Sequence, residues 1–143
     1  MARYLIVTHQ TALSPDLQRH VRELIAQDPA AEFAVLVPEG PGVPHTWEGE
    51  RVDVARQRAE AARTLLEDTV QARVVRTAVG ASEPLQAIAE ELSLQPGYDT
   101  LVICTLPSGV SRWLKLDLVH RAERKFGLPV VHVVANVPVP ARS

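Results

Sequence analysis

Five short runs of apolar, largely β-branched residues constrain this chain more than any other feature. They are RYLIVT (3–8), EFAVLV (32–37), ARVVRTA (72–78), DTLVICT (99–105) and PVVHVVA (129–135). Most are continuous rather than alternating, which is the pattern of strands covered on both faces, as in parallel sheets. Helical patterns separate them. Ser14 suits the N-cap of the first helix, Pro15 its first position and Asp16 its positive end. Leu17, Val21, Leu24 and Ile25 then form one apolar stripe, and Pro29 follows the helix end. The second helix is expected from about Val52 to Asp68, with Val52, Ala55, Ala59, Ala62 and Leu66 on its apolar face. The third starts near Ser82, with Pro84 in its first turn, and presents Leu85, Ile88, Ala89 and Leu92. The fourth, about Ser111 to Phe126, presents Leu114, Leu118, Ala122 and Phe126, and Gly127 and Pro129 end it. Such alternation predicts an α/β fold: a five-stranded parallel sheet with right-handed crossovers and helices on both faces.

A chain of 143 residues is long enough for one core, so a single domain over 1–143 is expected. PEGPGVPHTWEGE, from Pro38 to Glu50, interrupts the pattern, and its prolines and glycines predict a loop over a binding crevice. The tail NVPVPARS reads as an extended arm. Fifteen basic residues against 17 acidic ones leave a net charge of -2 and no basic stripe, which argues against nucleic-acid binding. No apolar run has the length of a membrane span. MARYLIVTHQ reads as a strand rather than a leader, and the one cysteine, Cys104, suits a reducing compartment. The expected location is the cytoplasm.

In an open parallel sheet, ligands bind beyond the carboxyl ends of the strands, where the strand order reverses. If the chain winds outward from strand one and restarts beside it with strand four, THQT (Thr8 to Thr11) and TLPSGVSRW (Thr105 to Trp113) meet there. Both are polar, unlike the strands they end. A loop with a glycine leading into a helix can offer amide N–H groups to an anion. On this reading the ligand-binding residues are Thr8, His9, Gln10, Thr105, Ser108, Gly109, Ser111 and Arg112. The competing reading is structural: Ser111 caps the helix, Gly109 makes the turn, and Arg112 pairs with a nearby acid.

Other chemistry finds little support. Neither G-x-G-x-x-G nor G-x-x-x-x-G-K-[ST] occurs. Ser108 lies in LPSGV, which is not a nucleophile elbow, and no His or Asp has a sequence reason to partner it. His9, His20, His45, His120 and His132 lack ligand spacing, so no metal is expected. Cys104 reads as a buried core residue, Trp47 as a loop cover or anchor, and Trp113 as packing. Neither polar loop offers an Asp or Glu for Mg²⁺, the nearest acid being Asp117, so no strong catalysis is expected.

With this order of elements, the chain resembles the universal stress protein family. VGASEPLQAI (Val79 to Ile88) looks like that family's passage from strand three to helix three, and YDTLVICT with GLPVVHVV looks like its last third. THQT and CTLPSGVSRWLKLDL resemble a divergent subgroup of it. The resemblance implies a Rossmann-like sheet of the adenine nucleotide alpha hydrolase type, in the order 3-2-1-4-5. It also implies a homodimer through strand five and, in some members, ATP or another adenine nucleotide. Nucleotide-binding members carry an Asp after strand one, where this chain has Thr8, His9 and Gln10. They also carry G-x2-G-x9-G-[ST] after strand four, of which only Gly109 has a counterpart here. Two functions follow as expectations: a non-catalytic domain binding a nucleotide or other small anion, or an assembly module whose crevice its own side chains fill.

Overall fold

Strand β1 (Arg3–Val7) runs through the middle of a five-stranded parallel sheet, with β2 (Glu32–Pro38) on one side and β4 (Thr100–Thr105) on the other. Strands β3 (Arg73–Gly80) and β5 (Val130–Val134) complete the order β3-β2-β1-β4-β5, as the alternation and the resemblance predict. The computed structural model describes residues 2–8, 15–38, 48–80, 84–105 and 118–134, with the backbone alone described at 48–55, Thr105 and Leu118.

Helices α1 (Pro15–Gln27) and α2 (Glu48–Thr69) cover one face, and α3 (Pro84–Leu94) and α4 (Leu118–Phe126) cover the other. The reason lies in side-chain alternation along the strands. Ile6, Phe33, Val35, Val102 and Cys104 point to the layer holding Leu17, Val21, Ala59, Ala62 and Leu66. Leu5, Val7, Leu36, Leu101 and Ile103 point to the layer holding Leu85, Ala87, Ile88 and Ala122. Both sets are fully enclosed, which explains why the strands read as unbroken apolar runs.

Several boundaries differ from expectation. The stretch from Pro38 to Glu50 is not all loop: Pro38 closes β2 opposite Gly80, and α2 already begins at Glu48. A proline is tolerated there because it is the last residue of the strand, beyond which no ladder bond is needed. Strand β3 extends to Gly80, two residues further than its apolar run suggested. Residues 39–47, and the 111–117 start expected for the fourth helix, lie outside the described residues.

After α2 and α4 the chain turns through a residue in the left-handed conformation. Gly127 takes φ +66° after α4, and its N–H donates to Glu123 O at 2.9 Å, as a C-terminal glycine should. After α2 the same left-handed conformation is held by Gln71, at φ 55°, and the Ala72 N–H reaches back to Leu66 O at 3.1 Å.

Among the described residues, one charged side chain is buried with the core. Glu91 on α3 is 3% exposed and accepts Arg76 Nε at 2.6 Å, Arg76 Nη2 at 3.1 Å and Tyr98 Oη at 2.9 Å. This bidentate pair ties α3 to β3, and Tyr98 ties both to the segment entering β4.

Candidate functional site

The strand order reverses between β1 and β4. The chain leaves β1 toward β2 and β3, then returns through α3 to pair β4 with the free side of β1, Val7 lying beside Ile103. Helix α1, which follows β1, lies on one face of the sheet and α4, which follows β4, on the other, and in open parallel sheets ligands bind beyond the carboxyl ends of strands that part in this way.

Of the residues expected to line it, Thr8 and Thr105 lie among those described. Thr8 follows directly on β1, is fully buried, and donates its N–H to Leu36 O at 3.1 Å. Thr105 is the last residue of β4, beside Val134 of β5. The two threonines thus stand at the same edge of neighbouring strands. His9, Gln10, Ser108, Gly109, Ser111 and Arg112 lie outside the described residues. Cys104 is buried in the core, as its sequence context predicts.

The same edge of the sheet shows a close approach at Gly80. A Cβ added there would stand 2.6 Å from Ala87 Cβ and 3.3 Å from Leu36 Cδ1, so only glycine lets α3 seat this tightly on the end of β3. That contact fixes the helix that returns the chain to β4. Among the described residues, no group of three or more His, Cys, Asp or Glu side chains could hold a metal ion. Also among them, no helix is long and apolar enough to cross a membrane.

A concave feature that sequence reading did not find lies between α1 and the edge strand β5. It encloses about 240 Å³ and is lined by Asp16, Arg19, His20 and Glu23 from the helix and by Val131 to Val134 from the strand. Asp16 pairs with Arg19 at 3.3 Å, and Glu23 Oε1 is 4.0 Å from His20 Nδ1. His20 and His132, both at this groove, have their pKa values lowered by burial, opposed at His20 by the Glu23 charge. They are far apart in the chain, so no spacing could announce them.

No protein-family model matches the chain, and a comparison with curated proteins finds no match. Solved structures do match. A universal stress protein in complex with cAMP aligns at a TM-score of 0.57 and 17% identity, over 92% of this chain and 96% of its own. The universal stress protein UspA from Lactobacillus plantarum aligns at 0.54 and 15% identity, over 94% of this chain and 97% of its own. A universal stress protein from Archaeoglobus fulgidus aligns at 0.56 and 18% identity, over 93% and 95%. The alignments run over more than nine-tenths of each chain, and the fold of this chain is that of the universal stress proteins.

Proposed function

We propose that this chain is a non-catalytic, universal stress protein-like domain that takes a nucleotide or another small anionic ligand at the carboxyl ends of β1 and β4. The observation that carries the reading is the reversal of strand order between those two strands. In support, a protein of the same architecture is in complex with cAMP, which makes an adenine nucleotide the first ligand to try. The ligand would lie against Thr8, His9 and Gln10 on one side and Thr105, Ser108, Gly109, Ser111 and Arg112 on the other. Arg112 would supply the positive charge and the loop amides the remaining donors.

A thermal-shift series with cAMP, ATP and inorganic phosphate tests this reading. A ligand present at a hundredfold its Kd adds about 2.7 kcal/mol to the native state, a clear rise in Tm. Loss of that rise in Arg112→Ala, with the unliganded Tm unchanged, would support the assignment. No rise with any of the three at millimolar-order concentrations would overturn it in favour of the assembly reading.

The assembly reading is favoured by β5, which stands at the edge of the sheet with Val130 and Val131 half-buried and Val134 exposed. An apolar edge of this kind invites pairing, and a homodimer through β5 is part of the proposal. Light scattering at tens of micromolar, on the order of usual assay concentrations, should give twice the monomer mass; the monomer mass alone would count against it.

A further inference from the structure

We infer that the seam between α1 and β5 is an acid-sensitive latch, closed when His20 is neutral and loosened when His20 takes a proton. The inference is independent of the ligand proposed above, since it concerns a different groove. Three observations meet there.

The first is the orphaned nitrogen. His20 Nε2 is shut away from solvent and has no hydrogen-bond partner among the described residues. In the neutral imidazole one ring nitrogen can serve as an unprotonated acceptor, and leaving that lone pair unpaired is tolerable. In the charged ring both nitrogens carry protons, and a buried cationic N–H without an acceptor is far more costly.

The second is the surrounding charge. From α1 the groove is faced by Asp16, Arg19 and Glu23, and from β5 by His132. Asp16 is already engaged by Arg19 at 3.3 Å. Glu23, at 4.0 Å from Nδ1, can answer only the other ring nitrogen and is itself largely exposed. Arg19 adds like charge on the helix side, and a protonated His132 adds it on the strand side. Acid therefore increases positive charge across a cleft that holds one uncommitted carboxylate among its described lining residues.

The third is the place in the fold. Strand β5 has one strand neighbour, β4, and α1 packs along it. Opening the groove can thus free the edge of the sheet while the ladder of β2 with β1 and β3 stays intact. The lowered pKa of both histidines agrees in sign: native stability from these groups is present above the ordinary histidine value and is lost as pH falls through the depressed one.

Hydrogen exchange of the full chain at about pH 7.5 and about pH 5, corrected for intrinsic rates, tests the latch. The expected result is that opening of α1 and β5 amides rises several-fold on acidification while β2 and β3 amides hold. His20→Leu should abolish the difference. If that variant does not fold, His20→Asn and a direct imidazole titration by NMR in the native chain replace it. A uniform loss of protection over all five strands would overturn the proposal. So would an undiminished α1–β5 response in either variant, or a His20 that titrates at or above the ordinary value.

Discussion

Arg76 Nε stands 2.6 Å from Glu91 Oε2, joining a strand residue to a carboxylate that is almost wholly enclosed. The arginine remains about a third exposed, so the pair is not fully dry, but its acid cannot reach water by itself. Removing the cation leaves Glu91 with the Tyr98 hydroxyl as its remaining side-chain donor among the described residues. Arg76→Met should therefore cost about 2–3 kcal/mol, somewhat under the usual loss for a broken buried pair because of that exposure. Urea unfolding checks this, and Arg76→Met/Glu91→Met should recover part of the loss.

Tyr98 extends the same cluster into the alkaline range. Burial and the hydrogen bond to Glu91 push its phenol above the usual tyrosine value. The sign follows directly: the folded state holds the proton more tightly, so this stability is whole below about pH 10 and falls as pH rises further. An ultraviolet difference titration should show a late tyrosine step that Tyr98→Phe removes. A Tyr98 that ionises at the ordinary value would refute the point.

At Gly80 the sheet and α3 leave no room for a methyl group, with Ala87 Cβ only 2.6 Å from where it would go. Gly80→Ala should destabilise the protein by about 1–3 kcal/mol, the usual cost of overpacking. Because the displaced helix leads back to β4, affinity for the ligand proposed at the carboxyl ends of β1 and β4 should weaken in parallel. Gly80→Ala combined with Ala87→Gly, which removes the clashing methyl, should restore part of both.

The left-handed Gln71 offers a gain rather than a loss. A side chain at φ 55° pays roughly 1 kcal/mol that glycine does not, and Gln71 is exposed. Gln71→Gly should raise thermal stability by a few degrees, a shift on the order of that penalty, and calorimetry measures it. An unchanged or lower Tm would show that flexibility gained in the unfolded chain cancels the benefit.

How far the chain could be read from its residues depended on how local the signal was. Val, Ile and Leu in unbroken runs announced all five strands, and the return from β3 through Pro84 to β4 could be placed with them. The start of α2 could not, because Glu48 to Glu50 follow a run of prolines and glycines that looked like one loop. Ala87 was missed as a core residue since a small side chain adds little to an apolar stripe, though it is what Gly80 accommodates. Nothing in the sequence linked Arg76, Glu91 and Tyr98, or His20 with His132; those meetings are made by the sheet. The reversal of strand order between β1 and β4 was legible in the alternation of elements, and there Thr8 follows β1 and Thr105 ends β4.

Because β1 is flanked by β2 on one side and by β4 on the other, the order of synthesis matters. When residues up to Gly80 have emerged from the ribosome, β1, β2 and β3 can already pair, yet β1 still presents a bare edge. It stays bare until Thr100 to Thr105 arrive, when the Arg3 N–H finds Asp99 and Val7 finds Ile103. Pairings so distant along the chain make folding slow, and the incomplete sheet is open to wrong partners in the interval. The junction of β1 with β4 forms only once Thr105 has emerged, with α4 and β5 still to come, so a nascent chain paired there has already closed the centre of its sheet.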